Sequence, residues 1–85
     1  MKPKHKKTLN DIFSTPVKAS VDWRDVESLL HALDAEISEG SGSRVRISLN
    51  GIRAVFHRPH PRKEIDKGAL VSMKRFLKEA GIKLC

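Results

Sequence analysis

Tyrosine is absent from this 85-residue chain, and aromatic residues make up only 5% of it. A surface that stacks successive single-stranded bases on aromatic rings is therefore a weak theme here. Cysteine is almost absent as well, since Cys85 is the only one and the last residue. That excludes a disulfide framework and a cysteine-based metal site, so folding has to rest on packing. No run approaches the ~18 apolar residues that a bilayer span needs, and no membrane association is expected. The opening residues Met1-Lys2-Pro3-Lys4-His5-Lys6-Lys7 are basic but lack the apolar stretch of a secretory signal, which makes the cytoplasm the expected location. A chain of this length hides only about 60–65% of its unfolded surface. It has room for one thin core, a single domain over residues 1–85, and is too small for the large cofactor-binding architectures; no cofactor is expected.

What the chain does have is basic charge, unevenly placed. The 17 Lys and Arg against 10 Asp and Glu give a net charge of +7. Residues 1–10 carry +4, residues 11–40 carry −5, and residues 41–85 carry +8. Clustered Lys and Arg release condensed counterions from phosphates, so a polyanionic partner, nucleic acid first, fits this distribution. Solubility alone is the other use of such a surplus.

Leu9, Ile12 and Phe13 have i, i+3, i+4 spacing, which predicts a short helix over 4–14 with a narrow apolar stripe. Residues 15–20 read as a linker, so residues 1–20 form a basic extension with a helix ahead of a core over 21–85. Asp22 is a candidate N-cap, with Asp25 placed to reach back and Val21 and Val26 placed as a hydrophobic staple. Trp23, Val26, Leu29, Leu30 and Leu33 then line one face of a helix over 23–33, with His31 off that stripe. Ala35 to Ser38 predict a short strand with Ile37 inward, and Glu39-Gly40-Ser41-Gly42-Ser43 a flexible loop.

The clearest pattern follows. Val45, Ile47 and Leu49 alternate with Arg44, Arg46 and Ser48; Asn50-Gly51 is the favoured two-residue type I′ turn; Ile52, Ala54 and Phe56 alternate with Arg53, Val55 and His57. A two-residue loop fixes the pairing: Leu49–Ile52, Ile47–Ala54 and Val45–Phe56 on the core face, Ser48–Arg53, Arg46–Val55 and Arg44–His57 on the other. One side of the sheet is thus a basic surface ending in an Arg/His pair. Pro59 and Pro61 have no N–H to donate, so residues 58–63 form a stiff extended loop. Leu70, Met73, Leu77 and Ala80, widened by Phe76, predict a helix over 67–80, with Gly81-Ile82 suited to its C-terminal cap and Lys67, Lys74, Arg75 and Lys78 on its opposite face. The expected fold class is α+β, an α-β-β-β-α order behind an extra N-terminal helix, the layout of double-stranded-RNA-binding domains.

The chemistry follows from residue types at the mouth of the hairpin. Metal-free RNA cleavage needs a base for the 2′-OH proton, an acid for the leaving oxygen and a cation for developing phosphate charge. His57 and His60 flank Arg58 there, and Arg44 sits across the ladder from His57. Histidine gives and takes protons near neutrality, whereas arginine stays charged and can only bind phosphate. Arg46, Arg53, Arg58, Arg62, Lys63, Lys67, Lys74, Arg75 and Lys78 are the expected RNA-contacting residues. His57 and His60 on a proline-broken segment lack the geometry of a zinc site, and no metal is expected. Glu64 and Asp66 are placed to favour the start of the last helix.

Several short blocks in order resemble the HicA family of small bacterial toxins: Gly42-Ser43 before an alternating strand, Pro59-His60-Pro61-x-Lys63-Glu64-Ile65-x-x-Gly68-Ala69-Leu70, and Phe76-Leu77-Lys78-Glu79-Ala80-Gly81-Ile82. The resemblance covers about residues 22–82, and the Pro59–Ile82 block is its specific part. It implies a double-stranded-RNA-binding-like fold, ribosome-independent cleavage of mRNA, and neutralisation by a HicB-like antitoxin that covers the active face. In that family the residue after Gly-Ser is commonly the catalytic His, and here it is Arg44. Arginine cannot serve as a general base. Either His57 or His60 supplies the proton transfer with Arg44 holding the phosphate, or the chain binds RNA and antitoxin without cutting, as a non-catalytic module or an inactivated chain.

Overall fold

The computed structural model describes residues 2–14, 20–59 and 63–83. Six elements follow in order: α1 (Pro3–Phe13), α2 (Trp23–Ala32), β1 (Glu36–Glu39), β2 (Arg44–Leu49), β3 (Ile52–His57) and α3 (Lys67–Glu79). The strands form one antiparallel sheet in the order β1-β2-β3. This is the expected α+β fold with the double-stranded-RNA-binding-like layout, and the additional N-terminal helix is present.

The β2–β3 ladder has the register that the alternation predicts, including Leu49 opposite Ile52 and Arg44 opposite His57. Asn50 and Gly51 both have positive φ, 51° and 83°, as a type I′ turn requires; a glycine takes that conformation without a Cβ penalty. Val45, Ile47, Leu49 and Phe56 are buried on one face, while Arg44, Arg46, Arg53 and Val55 are exposed on the other. Pairs in β1–β2 run from Glu36–Ser48 to Glu39–Val45. The first strand therefore starts one residue later than the expected Ala35–Ser38. Ala35 is taken up by the end of α2, where its N–H donates to the Leu30 carbonyl at 3.0 Å and the Asp34 N–H to His31 at 3.0 Å. These are the two bonds of a Schellman cap, and they hold Asp34 at a φ of 65°.

Helix starts follow the capping logic. The Asp22 carboxylate accepts from the Arg24 N–H at 2.9 Å, and Asp66 accepts from the Ala69 N–H at 2.7 Å. At the far end of α3 the Ile82 N–H reaches Leu77 and the Gly81 N–H reaches Lys78, a second Schellman cap. Asn50 adds a tertiary tie that its role as a turn residue does not announce: its side-chain amide donates to the Ala80 carbonyl at 2.8 Å, locking the hairpin turn to the end of α3.

Both α2 and α3 pack on the same face of the sheet, α2 toward β1 and α3 toward β3, where Phe56 and Phe76 meet edge to face with centroids 6.0 Å apart. Their backbones do not come together; α1 packs against both instead and makes no backbone contact with the strands. Leu9 and Ile12 are buried in the common core, and His5 and Thr8 complete the buried side of α1, Thr8 by donating its hydroxyl to the Lys4 carbonyl at 3.0 Å. The N-terminal helix is thus a third wall of the core. Residues 15–19, expected as a linker, lie outside the described residues.

Truncating a fully buried side chain removes its transfer energy and leaves a cavity, so Ile12→Ala should lower unfolding free energy by about 2–5 kcal/mol in urea titrations. A loss below about 1 kcal/mol would show that α1 is not part of the core. An L-residue at positive φ pays a steric cost that glycine avoids, so Asp34→Gly should raise stability by about 0.5–1 kcal/mol in the same assay, and an unchanged or lower midpoint would contradict the strain.

Candidate functional site

In a two-residue hairpin the pair beside the turn, Leu49–Ile52, is hydrogen-bonded, and pairs alternate outward from it. The three open-face pairs, Ser48–Arg53, Arg46–Val55 and Arg44–His57, are consequently the non-hydrogen-bonded ones, whose Cβ atoms approach most closely. Arg44 and His57 are both exposed at the end of the ladder, so an imidazole and a guanidinium share one edge of the open face. Next to them on this face, Arg46, Arg53, Glu36 and Val55 border a groove of about 430 Å³.

The loop that delivers Arg44 closes as a compact turn. The Gly40 N–H donates to the Arg44 carbonyl at 2.9 Å, and the Arg44 N–H reaches back to Ser41 at 3.4 Å. A Cβ on Gly40 would stand 3.2 Å from the Cβ of Arg44, so the absence of a side chain there lets the turn close on the arginine.

Arg58 behaves differently from its neighbours. Its N–H donates to the Ser43 carbonyl at 2.9 Å, extending the ladder by one hydrogen-bonded step. Alternation then sends its side chain to the inner face. There its guanidinium meets Glu39 at 2.8 Å and Glu27 of α2 at 3.4 Å. Arg58, one of the residues expected to contact RNA, is engaged in a clamp joining the end of β1, the flank of α2 and the exit of β3. The hydrogen bond from Arg58 and then its charge hold the Glu39 carboxyl below its ordinary range, against a small opposing effect of desolvation. The same hydrogen bond leads in pushing the guanidinium up, desolvation opposing it and the charges of Glu39 and Glu27 adding to it.

Beyond Arg58 the chain enters Pro59, and a second tie holds it on the far side of residues 60–62. The Trp23 N–H donates to the Lys63 carbonyl and the Ile65 N–H to the Val21 carbonyl, both at 2.9 Å, around an isolated bridge between Asp22 and Glu64. Sequence reading missed this pairing, because single-residue bridges leave no periodic pattern. Two clefts lie beside these ties. One of about 280 Å³ is lined by His57, Arg58, Pro59, Glu64, Asp66 and Ala69, and one of about 200 Å³ by Trp23, Arg24, Arg58 and Lys63 among others. His60 and Arg62 lie outside the described residues. Lys63, Lys67, Arg75 and Lys78 are exposed and Lys74 half-buried. The α3 cations project from a helix that covers the inner face of the sheet, so they do not join Arg44, Arg46, Arg53 and His57 in one surface. Among the described residues no cluster of three His, Cys, Asp or Glu is arranged to hold a metal ion, and no helix is long and apolar enough to cross a membrane.

A carboxylate whose folded pKa is depressed stabilises the fold fully above its unfolded value of about 4.3 and loses that contribution as pH falls through the folded value. From pH 5 down to about pH 3 the wild type should therefore lose more stability than Glu39→Gln, read from urea midpoints at each pH. Parallel curves would show that the Arg58 clamp contributes nothing.

Comparison with known proteins adds one finding. Residues 23–82 match the family model described as HicA toxin of bacterial toxin-antitoxin systems. No curated protein and no solved structure gives a match. The matched span takes in α2, the whole sheet, the Arg44–His57 pair and α3, and leaves α1 outside it. Because that span is well over half of the chain and carries the complete α-β-β-β-α unit, this protein belongs to the HicA family of toxins from bacterial toxin–antitoxin systems.

Proposed function

We propose that the chain is a toxin that acts as a metal-independent endoribonuclease on mRNA in the cytoplasm and is neutralised by a HicB-like antitoxin covering the open sheet face. The observation that carries this reading is the Arg44–His57 pair, which sets a proton-transfer group beside a fixed cation at the exposed end of the hairpin. In the proposed reaction the His57 imidazole takes the proton of a 2′-OH, whose oxygen attacks the adjacent phosphorus. The P–O5′ bond breaks, the leaving oxygen receives a proton from a second acid, for which His60 is the candidate, and a 2′,3′-cyclic phosphate remains. Arg44 stabilises the charge gathering on the phosphoryl oxygens, and Arg46 and Arg53 bind neighbouring phosphates. Arg58 acts on this site indirectly, by fixing the strand end that carries His57.

A second reading rests on a residue type. The resemblance to HicA toxins implies a catalytic His at the position after Gly42-Ser43, where this chain has Arg44, which cannot act as a general base, so the chain can bind RNA and antitoxin without cutting. In this reading the same basic surface serves as a non-catalytic RNA-binding module.

The two readings separate in one assay, purified antitoxin-free protein with a defined mRNA in EDTA. Cleavage is expected, with His57→Ala reducing the rate by about 10²–10⁴-fold and Arg44→Ala by about 10²–10³-fold, while both variants keep the wild-type fold by circular dichroism. His60→Ala in the same series tests the second acid. RNA that binds but stays intact would select the non-catalytic module.

A further inference from the structure

The basic residues fall on two sides of the molecule, and only one of them carries the Arg44–His57 pair. The other is built by α1 and α3. Lys2 just before α1 and Lys4 and Lys6 on it are exposed, while His5, Thr8, Leu9 and Ile12 face the core. Because α1 lies on α2 and α3 and not on the sheet, its exposed side looks away from the strands. Arg75 and Lys78 are exposed on α3, which packs against α1. Acidic charge on these two helices is sparse: Asp11 is paired with Lys7 at 3.3 Å, and Glu79 is the acid on α3.

We propose that α1 and the outer side of α3 form a second RNA-binding surface, which grips the phosphate backbone of long RNA from the side opposite the proposed cleavage face. Charge complementarity names the occupant. Phosphates at regular spacing are matched by long, flexible ammonium groups, and no exposed aromatic ring is present on either helix to read bases. A protein partner fits less well, because protein interfaces are depleted in lysine and built around aromatic and apolar anchors. Val71 is the one large apolar side chain exposed on either helix among the described residues. A body only 35 × 28 × 21 Å across lets one long RNA reach both sides, whereas a short oligonucleotide is confined to one. The surface would make binding depend on RNA length and on salt without adding base specificity, and it would do so whether or not the sheet face cuts.

The test uses the full chain and 2′-O-methyl RNA, which lacks the attacking hydroxyl, in two lengths of about 6 and about 60 nucleotides. Each Lys–phosphate contact in single-stranded RNA contributes about 0.7 to the slope of log K against log salt. The triple variant Lys2→Gln, Lys4→Gln, Lys6→Gln should lower that slope by about 2 for the long RNA and leave the short one unchanged. The charge-keeping Lys→Arg triple variant should retain the wild-type slope, and thermal unfolding should be the same for all three proteins, since none of these side chains is buried. An unchanged slope for the long RNA, or an equal loss for both lengths, would overturn the proposal, as would a Gln variant that binds long RNA normally but loses an acidic antitoxin. Failure of the cleavage reading would appear separately, as intact unmodified mRNA, with the slope difference still present.

Discussion

Two backbone torsions, φ of 51° at Asn50 and 83° at Gly51, set the phase of the β2–β3 ladder, and the two faces of the molecule follow from that phase. With the turn closed over two residues, Val45, Ile47, Leu49 and Phe56 meet α2 and α3, and Arg44, Arg46, Arg53 and His57 are left to solvent. A slip of one residue would exchange the faces, burying arginines under the helices. That cost is far larger than any single contact on the open face. The tie from Asn50 to the Ala80 carbonyl then couples the turn to the helix that covers the core. The Arg44–His57 pair is therefore a product of core packing, set in register by hydrophobic residues on the opposite face of the sheet.

The same alternation explains why adjacent basic residues do different work. His57 points outward, and Arg58, one step further, turns inward to Glu27 and Glu39. The clamp joins the last bond of the sheet to α2, just before Pro59 ends the ladder. After residues 60–62 the chain is caught again where Lys63 and Ile65 pair with Trp23 and Val21. Chain exit from the sheet is thus tied to the flank of α2 at Glu27, and entry to α3 to the start of α2 at Val21 and Trp23. This geometry offers a stiff frame on either side of the Pro-His-Pro segment.

The parts legible in the sequence were those governed by local rules. Strict alternation around Asn50-Gly51 specified the hairpin to the residue, Asp22 and Gly81 announced helix ends through the backbone groups they satisfy, and Asp66 marked the start of the last helix by its charge, its cap on the Ala69 N–H emerging only in the structure. What local rules do not encode is partnership over distance. Nothing in the spacing of Glu27, Glu39 and Arg58 shows that they converge, and Asn50 reads as a turn residue with no sign of its bond to α3. The role of α1 was obscured for a different reason: His5 and Thr8 occupy buried positions on its inner side, so the apolar stripe looked too narrow to close a core. The start of β1 shifted because an Asp at positive φ let the α2 cap extend through Ala35, a conformation that propensity assigns to glycine first.

The proposal that RNA meets a proton-transfer group at the open end of the hairpin, and not at another basic surface, is tested most directly by NMR of isotopically labelled protein titrated with a 6-nucleotide 2′-O-methyl RNA. The His57 ring and the backbone amides of Arg44, Arg46 and Arg53 should shift first and furthest, with the amides of α1 and α3 nearly still. Shifts confined to the helices, with His57 and Arg44 unmoved at saturation, would contradict the account.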